Sequence, residues 1–153
     1  MTTDHVLTRA DWLSLLAKSA RTTIDAMLPS APKLASFVPL RGPELGLVMV
    51  RGRQGGGGAA FNLGELTIAR CTVRDAAGRV GHGYVAGRDL ALAEMIARLD
   101  AALQDEATRP LWLEALLIPL ERAEAQRRTA LAAKAAATEV EFFTLATSRG
   151  DAE

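Results

Sequence analysis

The sequence predicts an α+β fold, a single domain over residues 1–153 with a mainly antiparallel sheet of about four or five strands flanked by N-terminal, central and C-terminal helices. Three observations carry this. Apolar residues recur at helical spacing at the start of the chain and again after residue 89. Between Phe37 and Ala86 the texture changes to short β-branched or alternating stretches with glycine-rich breaks. The Asp75-Ala-Ala-Gly78 sequence then reads as a tight antiparallel connection, with Gly78 free to take a positive φ.

In order along the chain, Thr8 and Asp11 have the spacing of a capping box. Trp12, Leu15, Leu16, Ile24 and Met27 follow at helical intervals up to Pro29, which makes one amphipathic helix. Phe37 to Arg41, Leu45 to Arg53, Glu65 to Arg74 and Arg79 to Ala86 are read as four strands. Leu66 and Ile68 share one parity, Cys71 and Val73 the other. A bulge near Ala69-Arg70 would let both pairs face the core.

Asp89 is a suitable N-cap for a helix whose Leu92, Met95, Ile96, Leu99 and Leu103 form one apolar stripe ending near Asp105. Thr108 and Pro110 open a further helical stretch, which Pro119 should break or kink. Glu121 to Ala137 resumes as an alanine-rich helix, and Val140 to Thr144 reads as a last strand. From Ala123 to Ala137 the apolar side chains are nearly all methyls, so burying that face gains little per residue. Either a closely packed element or a partner chain should cover it.

With 18 basic and 18 acidic side chains the net charge is zero, which argues against nucleic acid and against an anionic membrane as partners. Few aromatics are available to stack on bases. A single cysteine, Cys71, excludes an internal disulfide and suits a reducing cytoplasm. The N-terminus has no signal-peptide pattern and no apolar run approaches the roughly 18 residues of a bilayer span.

The most unusual stretch is Arg51-Gly-Arg-Gln-Gly-Gly-Gly-Gly58. Four consecutive glycines cost chain entropy, so either function or tight geometry must favour them. One reading is an anion-binding nest, in which the amides of Gly55, Gly56, Gly57 and Gly58 work with Arg51 and Arg53. The other is a hairpin loop that links two strands or orders against a partner. It is not a P-loop, because no Gly-Lys-Ser/Thr closes it and no helix follows.

From Arg41 to Arg88, seven arginines (41, 51, 53, 70, 74, 79 and 88) face Glu44, Glu65 and Asp75, a local excess of four positive charges. That suits an anionic ligand or an acidic partner surface, and equally the charged protection of an edge strand. His82, between Gly81 and Gly83, is read as structural or interfacial, with small neighbours that let another backbone approach. Cys71 is read as a buried inert thiol, and Glu44 and Glu65 as candidate acids whose arginine neighbours favour ion pairing. No catalytic residues, metal set or nucleophile-base-orienter triad can be assembled.

Arg41-Gly-Pro-Glu-Leu-Gly-Leu-Val-Met-Val-Arg-Gly-Arg53, the glycines leading to Phe61-Asn-Leu-Gly-Glu65, Arg70-Cys71, Gly81-His-Gly-Tyr84, Gly87-Arg-Asp89, and Phe142-Phe143 before Arg149-Gly150-Asp151 together resemble the PhnG family of the carbon-phosphorus lyase system. The likeness runs from Trp12 to Asp151, with the glycines uninterrupted where the family pattern has a threonine-like residue. The resemblance implies a subunit of a core complex with the H, I and J subunits, two copies of the chain per complex, and an ATP-binding-cassette K subunit associating. It implies a part in forming α-D-ribose 1-methylphosphonate 5-triphosphate from ATP and methylphosphonate with release of adenine, ATP being a substrate and no cofactor belonging to this chain. The role expected is scaffolding, with Arg51, Arg53, Gly55 to Gly58, His82 and Arg88 as anion or partner contacts. The competing expectation is a stand-alone phosphate or nucleotide binder built on the Arg/Gly-rich loop.

Overall fold

The computed structural model describes residues 7–138. It opens on α1 (Arg9–Lys18), and the Thr8 capping box forms in both directions: the Asp11 carboxylate accepts from the Thr8 amide at 2.9 Å, and the Thr8 side chain accepts from the Asp11 amide. The single amphipathic helix expected here is two. Ser19 and Ala20 are extended, the Ser19 hydroxyl donates to the Leu15 carbonyl, and α2 (Arg21–Met27) starts afresh. The break lets Trp12, Leu16 and Ile24 all reach the core.

Among the described residues the sheet has three antiparallel strands in the order β1-β2-β3: β1 (Phe37–Arg53), β2 (Ala60–Asp75) and β3 (Val80–Ala86). The first two strands read from the sequence are one. Gly42-Pro43 looked like a break, but the chain passes through it by register irregularities between Pro39 and Glu44 while staying paired with β2. Val140 to Thr144, the last strand expected, lies outside the described residues.

The irregularity expected near Ala69-Arg70 falls in the β1–β2 ladder, between Arg41 and Glu44 opposite Thr72 and Arg70, and does not bring both pairs to one face. The pairing of β2 with β3 runs without a shift from Ile68 opposite Ala86 to Arg74 opposite Val80. Ala69, Cys71, Val73 and Asp75 therefore point to the helical layer. Leu66 and Ile68 lie on the other face, Ile68 buried and Leu66 exposed. The β2–β3 turn follows expectation: Gly78 has φ 85°, and the Asp75 carboxylate accepts from the Ala77 and Arg79 amides.

Asp89 caps α3 (Leu90–Leu103) by accepting from the Leu92 amide at 2.8 Å. This helix lies across β2 and β3 with unusually close backbone approach. A β-carbon on Gly81 would be driven into the Ala97 carbonyl oxygen, and one on Gly83 into that of Ala93. These are the small neighbours of His82, and α3 is the backbone that comes close.

Across the contact sits Asp100, fully buried. Its carboxylate accepts from Arg9 Nε (3.1 Å) and Nη2 (2.6 Å), from Trp12 Nε1 (2.9 Å) and from the His82 amide (2.9 Å). A buried charge with four donors and a cationic partner has its desolvation offset. It ties α1, α3 and β3 together.

After α3 the Arg109 guanidinium closes the helix end by donating to the Leu103 and Gln104 carbonyls. Next come α4 (Arg109–Trp112), a wide π-turn over Leu113–Leu117, and α5 (Ile118–Ala136). Around Pro119, expected to break or kink this stretch, the chain stays helical but regular α-helix is interrupted by the π-turn that ends just before it. Trp112, Leu116, Leu117 and Leu120 complete the core.

From Ala125 onward α5 is exposed all round, so the alanine-rich half stands on helix propensity without a covering element among the described residues. Replacing Gly83 by Ala is expected to cost about 2–3 kcal/mol by overpacking, against less than about 0.5 kcal/mol for Gly42→Ala, where a β-carbon meets nothing within 4 Å. Urea unfolding of the two variants measures the difference, and equal midpoints would contradict the close-contact account.

Candidate functional site

The glycine-rich stretch forms the tip of the β1–β2 hairpin. Arg53 leads into a short helical turn at Gln54–Gly56, in which Gly55 and Gly56 have φ of 57° and 80°, conformations that side chains rarely adopt. The Gly58 amide donates to the Gln54 carbonyl at 2.8 Å, and a β-carbon on Gly58 would sit 2.6 Å from that oxygen. The glycines are thus explained in part by the turn itself. Arg53 folds back to donate to the Gly58 carbonyl at 3.3 Å, while Arg51 projects into solvent.

The other candidates lie elsewhere. His82 is half-buried on the sheet face opposite α3, with its Nδ1 3.2 Å from the Thr72 hydroxyl across the strands. Thr72 is twelve residues along β2 from Ala60, which pairs with Arg53, so the tip and His82 are roughly 40 Å apart. Arg88 follows Gly87, whose amide donates to the Thr67 carbonyl, and stands exposed between the two. The eight candidate residues therefore form no common pocket.

The arginine excess resolves into pairs and a remainder. Glu44 holds both Arg41 (3.0 Å) and Arg70 (2.8 Å), and Arg79 bridges Asp75 (2.7 Å) and Asp105 (2.9 Å). Burial pushes the Asp75 carboxyl up, but the Arg79 hydrogen bonds and charge outweigh it and hold the group below its ordinary range. Arg51, Arg53, Arg74 and Arg88 have no carboxylate partner among the described residues. Glu44, one of the two candidate acids, is committed to ion pairs. Glu65 sits on the exposed hairpin opposite Met49.

Cys71 is buried beneath α3, its thiol 3.5 Å from the Arg41 carbonyl, and burial first and the charge of Glu94 second push its pKa up. That is the environment of an inert thiol. A cleft of about 400 Å³ between α1 and α5 is lined by Asp11, Lys18, Glu121, Glu124 and Arg128. There Arg127 and Arg128 engage Glu124 and lower its pKa to about 2, so its charge is already spent on the helix. Among the described residues no cluster of three or more His, Cys, Asp or Glu could hold a metal ion, and no helix is long and apolar enough to cross a membrane.

What the sequence reading missed is the apolar surface of the hairpin. Leu45, Leu47, Val48 and Met49 on β1 and Phe61, Leu63 and Leu66 on β2 are all exposed. Paired residues share a face, so Leu45, Leu47 and Met49 lie on the α3 side of the sheet, and Val48 and Leu66, which pair, lie on the other. Phe61 and Leu63 pack about Gly52 on that second face. Leu45 to Val50 is an uninterrupted apolar run apart from Gly46, the pattern of a strand covered on both sides.

The model of the family described as phosphonate metabolism protein PhnG matches residues 7–150. The α-D-ribose 1-methylphosphonate 5-triphosphate synthase subunit PhnG of Rhizobium meliloti (strain 1021) is 43% identical over 141 residues, covering 92% of this chain and 89% of the relative. Titration calorimetry of the isolated chain with ATP is expected to give no saturable heat at millimolar nucleotide, because Arg53 is turned onto its own loop and the cavity beside the tip is lined only by Gln54, Ala59, Ala60 and Phe61 among the described residues. Micromolar binding abolished by Arg51→Ala with Arg53→Ala would instead identify the tip as a phosphate site.

Proposed function

The chain belongs to the PhnG family, and from that membership we propose that it serves as a subunit of an α-D-ribose 1-methylphosphonate 5-triphosphate synthase in phosphonate catabolism. The observation that carries this is the 43% identity to a subunit of that name over nearly the full length of both chains. In this reading the assembly exchanges the N-glycosidic bond at C1 of the ATP ribose for a bond to a methylphosphonate oxygen, and adenine departs. The partners are the H, I and J subunits, with the ATP-binding-cassette K subunit associating and two copies of this chain per complex, in the cytoplasm. ATP is the assembly's substrate, and this chain brings no cofactor.

The role proposed for the chain is scaffolding. Two features of its surface favour that over chemistry. Its exposed apolar side chains are concentrated on one projecting hairpin, which is how a protein–protein contact is marked. Glu44 and Asp75, the carboxylates beside Arg41, Arg70 and Arg79, are committed to ion pairs, and Asp100 is enclosed by four donors. Arg51, Arg74 and Arg88 remain available to an acidic partner surface or to a phosphate held by another subunit.

Adenine release from ATP and methylphosphonate, measured on complexes co-expressed with and without this chain, tests the proposal. Release is expected from the complete assembly and a loss of at least tenfold without this chain. Full activity of an assembly lacking it would overturn the reading.

A further inference from the structure

Beyond Ile68, where β3 ends opposite Ala86, β1 and β2 continue alone as a two-stranded ribbon to the Gly55–Gly58 tip. An isolated two-stranded ribbon is marginal in water. Here both faces are apolar: Leu47 is 62% exposed on one and Leu63 66% on the other. Among the described residues both outer edges are also free, that of β1 because it is terminal in the sheet and that of β2 because β3 has ended. We propose that this ribbon is an arm that inserts into a two-walled groove of a different protein chain, apolar along the walls and acidic where it receives Arg51 and Arg53. The inference rests on the subunit reading and names the segment and the groove that realise it.

Area selects the groove. Nine residues from Leu45 to Arg53 span about 30 Å, and two strands are about 10 Å wide, so each face offers roughly 300 Å². A stable interface takes about 800 Å² from each side. A partner lying on one face falls well short, whereas one enclosing both faces and an edge approaches the requirement.

The same arithmetic argues against a second copy of this chain as occupant. Two ribbons stacked face to face cover one face each. The ribbon as a slab about 10 Å thick is on the order of 3000 Å³, while the clefts beside Leu111 and between α1 and α5 are about 530 and 400 Å³, the second lined largely by charged side chains. Neither could receive it.

Charge selects the groove's closed end. Arg51 projects from the tip and Arg53, turned onto the Gly58 carbonyl, adds its charge beside it, neither with a carboxylate partner among the described residues, and Glu65 is the only acid between Leu45 and Ile68. The free strand edges add main-chain donors and acceptors that a groove can pair by strand addition.

The test uses the full chain co-expressed with the remaining synthase subunits and recovered through a tag on one of them. Leu47→Asp and Leu63→Asp place one charge on each face, and Arg51→Glu with Arg53→Glu reverses the tip. Each is expected to lower recovery of this chain in the assembly at least tenfold while leaving the isolated chain's thermal midpoint unchanged, since all these side chains are exposed. Recovery of all three at the wild-type ratio overturns the arm. Loss confined to one face overturns the two-walled groove, and light scattering that shows an isolated-chain dimer dissociated by Leu47→Asp makes the occupant a second copy. Failure of the wild-type chain itself to be recovered overturns the subunit reading, and the arm with it.

Discussion

The close seating of α3 on β3 is the contact on which the rest of the molecule depends. Gly81 and Gly83 remove the side chains that would hold the helix off, and Ala93, Ala97 and Ala101 present only methyls in return. Little apolar area is gained by such small groups, so directional bonds carry much of the specificity. Asp100 supplies them, gathering Arg9 and Trp12 of α1 and the His82 amide of β3 onto one carboxylate. Beside it the Gln104 side chain donates to the Val80 carbonyl, as does Arg9. Removing the carboxylate would strand several buried donors at once, which is the costly direction in which to break a buried ion pair.

Fixing α3 on one face leaves the sheet lopsided. The helical layer covers only as much of β2 as runs from Ala69 to Asp75, and β3 ends at the same level. What remains of β1 and β2 is cantilevered from a well-packed base, with its root held by Glu44 between Arg41 and Arg70. Its direction is thus set by the core, and its surface is free to be specific for something else. In a synthase subunit the combination of rigid base and apolar arm suits assembly, and the unpaired arginines give that assembly a polarity.

Much of the architecture was legible in the sequence because local signals and tertiary need coincided. Thr8 with Asp11, Asp75 to Gly78, and Asp89 before a Leu92-Ile96-Leu99-Leu103 stripe each specify one local geometry, and each forms. The misreadings came where a residue's local preference was overridden. Gly42-Pro43 is accommodated at the edge of a long strand, where a proline costs no ladder bond. Ser19-Ala20 carried no glycine or proline, so nothing in the residues announced the helix break there.

The candidate site was less legible, for a different reason. Arginines and glycines attract attention by type, whereas the hairpin's importance lies in position. Leu45 to Val50 reads as an ordinary strand, and Phe61 to Gly64 lies before the strand expected from Glu65. In the structure β2 starts at Ala60, and the ends of α3 and β3 show that nothing among the described residues lies over either stretch. Asp100 was overlooked although it stands four residues after Ile96 and eight after Leu92, on the face that α3 buries. An acid on that face had to be paired, and its partners came from residues 88 and 91 positions away.

Hydrogen–deuterium exchange, compared between the isolated chain and the assembled complex, tests most directly whether this chain is a rigid base presenting an arm to another subunit. The account predicts fast exchange at 45–53 and 60–67 in isolation and slow exchange at both strands in the complex, with β3 and α3 slow in both states. Ribbon amides that exchange equally fast in the complex, with new protection confined to α5 or the open sheet face, would contradict it.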